Sequence, residues 1–355
     1  MSTLTSIIFG ILMFSILIFV HELGHFIAAK ASGVKVNEFS MFMGPAIFKK
    51  QGKETLYTIR CIPIGGYCAM EGEDEDTDSP RSFQKAKWWK RLIILVSGAA
   101  MNFLLGLILF VIIALPIQRM NTNTVAKLSD CYDTSSQAAF QLGDEVVKVG
   151  DEQVYVASDV SMLIGFQKGE SVDFVVRRNG ELVELNGMKA HTHEKDDGST
   201  YSHFGFSLGV KDANFADKMG YAWNMTVDNI RNVRLSLAML FTGKASFRDM
   251  MGPVGIVDTM TDVATQSPTW VDALMNILYF GAFIAVNLGV MNLLPIPALD
   301  GGRVVGLLLT TGIQKVTKKK LDPKYEGYVH GVGMILLLVL MAVIMFKDVF
   351  MIFKG

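Results

Sequence analysis

Four long apolar runs, roughly Ser6 to Ala29, Leu92 to Ile117, Ala273 to Leu294 and Val329 to Phe346, constrain this chain more than any other feature. A helix needs about 20 residues to cross a hydrocarbon core, and each run reaches or approaches that length. Backbone in lipid must satisfy its own hydrogen bonds, so the runs predict four helical crossings. The composition agrees: half of the 355 residues are apolar, and 33 basic side chains face 34 acidic ones. Such a chain is too apolar for an ordinary soluble domain, and its balanced charge gives no reason to expect nucleic acid as a partner.

The first run has no basic leader and no small-x-small cleavage site, so it is expected to stay attached rather than act as a removable signal. Lys and Arg crowd two short segments, Lys30 to Arg91 and Arg303 to Lys324. The positive-inside rule makes both cytoplasmic, which sends the termini and the long middle segment to the other side. Of the three cysteines, Cys61 and Cys68 fall in the first inner segment and Cys131 alone in the outer one, so the outer domain cannot hold an internal disulfide.

The segment 1–120 reads as a first membrane part with a β-hairpin over 35–70, and 269–355 as a second. Between them, 121–210 alternates apolar and polar residues in short runs broken by Gly-Asp, Lys-Gly and Asn-Gly turns, with a helical patch near Ser158 to Ile164. From residues alone this is an anonymous small β domain. The connector 211–268 opens on an amphipathic helix, Phe215 to Phe241, which can lie on the outer membrane surface or pack on the β domain. In the inner segment, "VNEFSMFMGPAIFKKQGKETLYTIRCIPIGGYCAM" predicts paired strands with breaks at Gly44-Pro45, Gln51-Gly52 and Gly65-Gly66. The acidic run "EGEDEDTDSP" after it reads as a solvated linker.

The first span contains "HELGH", His21 to His25, although an ionisable side chain in lipid is costly unless it pairs, faces water or binds something. On a helix His21 and His25 share a face, about 6 Å apart along the axis, so both imidazoles can ligate one metal ion. Glu22 beside them can serve as base towards water at that ion. Hydrolytic zinc usually takes three protein ligands, and the best candidate for the third is Asp300 in "NLGVMNLLPIPALDGGR", at the cytoplasmic end of the third span. Pro295 and Pro297 cannot continue a helix, and an unwound segment at that depth needs protein or water to meet its backbone. A plain helix cap at the surface accounts for Asp300 and Gly301, but not for the prolines together with the asparagines.

HELGH in a first span, a strand loop with "MGP" and "IPIGGY", a β domain after the second span and "NLLPIPALDGG" in a later one together resemble the site-2 protease family of intramembrane zinc metalloproteases. The branch most resembled is the bacterial regulator-of-sigma-E protease type with one PDZ domain, and the likeness covers nearly the whole chain. It implies a multi-pass α-helical membrane protein with a cytoplasmic-side β-hairpin and an inserted extracytoplasmic β-rich PDZ domain, in a bacterial cytoplasmic membrane. It implies one Zn2+ on His21, His25 and Asp300, Glu22 as catalytic base, and Asn292 holding the substrate or its oxyanion. The second span's "SGAAMNFLLG" lacks the proline that often follows its glycine, a departure that touches local packing, but retains Asn102.

A substrate helix hides its scissile carbonyls in its own hydrogen bonds and must be unwound, which an edge strand can do by pairing with it. Met41 to Phe48 is the expected edge, with Met41, Phe42, Met43 and Gly44 touching substrate beside Pro295 and Pro297. The expected partners are the bilayer and single-pass membrane proteins already trimmed by another protease, with the PDZ domain as the gate. Anti-sigma factors and remnant signal peptides are the substrate classes the resemblance implies. The rival is a scaffold that binds partner tails through its PDZ domain, with a structural metal or none; a structural zinc site needs a fourth ligand, which no nearby Cys or His supplies.

Overall fold

The computed structural model describes residues 3–73, 77–129, 139–167, 171–194, 200–243, 252–318 and 323–354. The chain divides into two compact units, one of residues 1–110 and 229–355 and one of residues 111–228. The first unit begins with helix α1 (Thr3–Ser32), strands β1 (Val36–Gln51) and β2 (Leu56–Met70), and helix α2 (Trp88–Ala114). The second unit holds β3 (Arg119–Leu128), β4 (Glu145–Val149), β5 (Glu152–Gln153), α3 (Ala157–Phe166), β6 (Ser171–Arg178), β7 (Glu181–Lys189), β8 (His191–Glu194), β9 (Thr200–His203) and β10 (Phe206–Asp212). Helix α4 (Phe215–Phe241) leads back to the first unit, which closes with α5 (Pro253–Gln266), α6 (Trp270–Asn292), α7 (Asp300–Thr317) and α8 (Pro323–Lys354).

Among the described residues, four helices are long and apolar enough to cross a membrane: α1 over Gly10–Ser32, all of α2 and α6, and α8 over Gly327–Met351. They coincide with the four apolar runs. Lipid offers no hydrophobic drive between helices, so close approach falls to small residues. At the α1–α2 crossing, a Cβ on Gly24 would stand 2.4 Å from the Ser97 carbonyl oxygen. At the α2–α6 crossing, one on Gly106 would stand 2.6 Å from Val286 Cγ2. Helix α8 buries only 6% of its span inside the protein and makes few contacts with it. One of them is Asp348, whose Oδ2 accepts the Gly252 and Gly255 N–H groups at 2.9 and 3.1 Å and so caps the start of α5.

Strands β1 and β2 fold back more tightly than a simple hairpin. Residues 38–41 pair on both flanks, Glu38 to Met41 meeting Ala69 to Gly66 on one and Leu56 to Ile59 on the other, while Ala46 to Gln51 return along Arg60 to Leu56. The expected break at Gly44-Pro45 is instead a bend within a continuous β1, with Phe42 and Gly44 at φ 71° and 84°. Arg60 fixes that bend by donating to the Gly44 carbonyl at 2.7 Å, Ser40 Oγ at 3.0 Å and Glu38 Oε1 at 2.7 Å. Burial alone would raise the Glu38 carboxyl, but its bonds from Arg60, Thr58 and Tyr67 together with the Arg60 charge outweigh that and hold it below its usual range.

This arrangement corrects the expected edge: Met41 is paired on both flanks, and of Met41 to Phe48 only the part from Ala46 lies on an outer segment. The other outer segment is 66–70. The acidic run is likewise not all solvated linker. Glu71 pairs with Lys35 at 3.3 Å and Glu73 pairs with Arg303 of α7, while residues 74–76 of that run lie outside the described ones. Helix α7 itself stands where a basic loop was expected.

In the second unit the sheet order is β10-β3-β4-β6-β7, with β5 paired to β4 and a separate β8-β9 ribbon. Alternate residues of β6, Val172, Phe174 and Val176, are buried, as are Val146 and Val149 of β4 on either side of a register shift, and Phe140 packs on Phe174 at 5.0 Å between ring centres. The α3 helix spans the predicted patch at Ser158 to Ile164, and α4 has the predicted limits. Buried Asp144, in a predicted Gly-Asp turn, takes two bonds from Arg178, each 2.8 Å. Cys131 lies outside the described residues; Cys61 is exposed and Cys68 buried, and both are free.

Candidate active site

Helix α1 carries His21, Glu22 and His25 within its span, and the two imidazoles point the same way, with Nε2 atoms 3.2 Å apart. The helix α6 ends at Asn292, and residues 293–299 then run irregularly through Pro295 and Pro297 before α7 starts at Asp300. That break aims the Asp300 carboxylate at the histidine pair: Oδ2 lies 3.2 Å from His21 Nε2 and 3.3 Å from His25 Nε2. Among the described residues this is the one group of three or more His, Cys, Asp or Glu side chains placed to hold a metal ion.

Three observations test whether a zinc ion fits. Tetrahedral bonds of about 2.0–2.1 Å set neighbouring ligand atoms about 3.3–3.4 Å apart, close to the three separations seen. Asp300 Oδ2 is buried without hydrogen-bond geometry to any partner, an arrangement a cation among the three atoms would resolve. His25 Nδ1 sits 2.8 Å from the Ile94 carbonyl oxygen, which can only accept, so the proton lies on Nδ1 and the Nε2 lone pair faces the site.

The far nitrogen of His21 is held by two asparagines, Asn102 Nδ2 of α2 at 3.2 Å and Asn292 Nδ2 of α6 at 3.4 Å. A His21 ligating through Nε2 carries its proton on Nδ1 and needs an acceptor there. The buried Asn102 Oδ1 has no partner, and a half-turn of that amide gives it the Nδ1–H. Asn292, expected to touch substrate, thus lies against a histidine in this state.

Gly98 was not singled out in the sequence. A Cβ there would stand 2.4 Å from His25 Nε2 and 2.7 Å from His21 Cε1, so the α2 backbone forms one wall of the site. Gly66 of β2 lies beside the catalytic candidate at ordinary contact range: a Cβ there would stand 3.4 Å from Glu22 Cγ and 3.1 Å from the Ser40 carbonyl oxygen. The sequence signal for Gly98 is its spacing, four residues before Asn102 and hence on the same face of α2. Met41, Phe42, Met43 and Gly44 belong to the bent part of β1, with the Met43 side chain packed on Gly65. Ionisable His330 in the last apolar run and Asp348 just beyond it, both within the α8 span, also carried a signal that sequence reading passed over.

A family model described as Peptidase family M50 matches residues 9–340. A protein named as a zinc metalloprotease in Clostridium acetobutylicum is 37% identical over 350 residues, covering 97% of both chains. The zinc metalloprotease RasP of Oceanobacillus iheyensis is 30% identical over 98% of this chain and 99% of its own. The regulator of sigma-W protease RasP of Bacillus subtilis is 26% identical over 97% of this chain and 98% of its own.

Proposed function

The chain belongs to peptidase family M50, and on that premise we propose that it cuts membrane-embedded segments of other proteins at a centre made of His21, His25, Asp300 and Glu22. It is a metalloendopeptidase of the site-2 protease type with zinc as cofactor, which sets aside the scaffold reading. The observation that carries the site assignment is the triangle of ligand atoms at 3.2–3.3 Å, built around a helix inside an apolar span.

Zinc, when bound, supplies Lewis-acid polarisation of the peptide carbonyl and makes water more acidic. His21, His25 and Asp300 hold it; Ile94 and the two asparagines keep the imidazoles oriented. Glu22 takes a proton from water as the hydroxyl adds to the carbonyl carbon, and returns that proton to the amine nitrogen as the C–N bond breaks. Substrate extends a sheet rather than entering as a helix, and the outer segment 66–70 is the better edge, because Gly66 lies against Glu22.

The β-rich unit is read as a PDZ domain outside the membrane that hinders untrimmed substrates, and the basic segments 30–91 and 303–324 support a cytoplasmic active site. The substrates proposed are single-pass membrane proteins already shortened by another protease, such as anti-sigma factors, or remnant signal peptides. The test is Glu22→Gln beside Asp300→Ala in purified protein. Glu22→Gln should retain about one zinc per chain and lose cleavage, and Asp300→Ala should lose both. Zinc loss in the first variant or its retention in the second refutes the assignment.

A further inference from the structure

Asp300 is the one proposed ligand outside α1, so its position depends on the irregular residues that precede it. Within them Ala298 holds a φ of 84°, a left-handed conformation that costs a residue with a Cβ about 1–2 kcal/mol. Two residues of α8, a helix otherwise largely free of the protein, engage this turn. The Ala298 N–H donates to His330 Nδ1 at 3.1 Å. Three residues further along α8, Gly333 lies so close to Pro297 that a Cβ on it would stand 2.4 Å from the proline Cβ and 2.8 Å from its carbonyl carbon. His330 and Gly333 share one face of the helix. A histidine acceptor and a bare glycine backbone therefore meet consecutive residues of the same turn, in an apolar span where a polar side chain is costly.

We propose that this face of α8 is a latch on the metal-ligand turn, with His330 as a positioning residue that keeps Ala298 left-handed and so aims Asp300. The inference rests on the reading of Asp300 as a zinc ligand. Without the acceptor, Ala298 relaxes towards negative φ and rotates the peptide two residues before the carboxylate. Gly333 acts with it, because any side chain there would lift α8 from Pro297 and withdraw the imidazole.

The experiment uses the full, zinc-loaded chain in detergent, chased with excess chelator, with zinc release followed over time beside steady-state cleavage of a transmembrane peptide. Outer partners of metal ligands are typically worth 10- to 100-fold in affinity. His330→Leu should release zinc at least tenfold faster and lower kcat by a similar factor with KM within twofold. His330→Asn keeps an acceptor near the Nδ1 position and should stay within threefold of the parent on both. Ala298→Gly, which tolerates positive φ, should restore most of the zinc retention to His330→Leu. Unchanged zinc release in His330→Leu, release from His330→Asn as fast as from His330→Leu, or no restoration by Ala298→Gly each overturns the latch. Asp300→Ala in the same assay separates the two readings: if it retains zinc, the ligand assignment fails, and if only it loses zinc, the latch alone fails.

Discussion

Replacing Gly98 by alanine adds one methyl group where the proposed metal ligands stand. That carbon would lie 2.4 Å from His25 Nε2, 2.7 Å from His21 Cε1 and 2.8 Å from His25 Cε1. Carbon and nitrogen in contact prefer about 3.5 Å, so something must move by roughly 1 Å. The His25 ring cannot turn away freely, because Nδ1 is bonded to the Ile94 carbonyl at 2.8 Å, and α2 cannot back off while Gly24 is seated on Ser97. Overpacking of this kind costs about 1–3 kcal/mol. Here the strain falls on the ligand atoms, and at about 1.4 kcal/mol per tenfold it corresponds to zinc binding weaker by roughly 5- to 150-fold. The assay is zinc competition against a chelator of known affinity, with thermal unfolding in parallel. Gly106→Ala, on the same helix as Gly98 but away from the histidines, is the control, since its Cβ would stand 2.6 Å from Val286 Cγ2 of α6. It should lower the melting temperature and leave zinc affinity alone. Wild-type zinc affinity in Gly98→Ala, or equal zinc loss in both variants, would refute the reasoning.

In a background without native cysteines, an impermeant thiol reagent added outside should label a cysteine at Ser171 and miss one at Lys315, and the reverse pattern would invert the proposed topology. Replacing residues 121–210 by a short linker should leave zinc content unchanged and speed cleavage of untrimmed substrates, whereas unchanged selection in a folded protein would remove the gate. Adjacent residues of an edge strand direct their N–H groups to opposite flanks, so Cys68→Pro and Ala69→Pro should differ. One should lose stability through the ladder to β1, and the other should keep stability and zinc but cut stably helical substrates several-fold more slowly. Undiminished cleavage by the stable variant would end the case for docking on residues 66–70.

What could be read from the sequence, and what could not, follows from where each feature's free-energy cost falls. Lipid penalises a polar backbone and an ionisable side chain so heavily that spans and exceptions stand out: α1, α2, α6 and α8 match the apolar runs, the histidine pair stood out because ionisable groups are costly inside a span, and Asp300, which a helix cap alone could explain, was singled out by the prolines and asparagines before it. The limits of α4 and the patch that became α3 were legible for a related reason, since one apolar face repeats at the helical period. The sheet register was not. A period of two shows which residues alternate but not that β1 bends at Phe42 and Gly44 to pair residues 38–41 on both flanks, because that bend is enforced by Arg60, distant in sequence. Glycine walls were mostly hidden for the same reason: Gly24, Gly66 and Gly333 matter through what stands opposite them, which no local pattern records, and Gly98 left only its spacing to Asn102. The site is thus built from two kinds of position. The proposed ligands carry a chemical signature that survives in one dimension, whereas the residues that let helices and strands approach them are defined mainly by distance. Substitutions of the first kind should abolish cleavage through lost chemistry, and those of the second through displaced ligands, so zinc affinity measured apart from turnover separates the two.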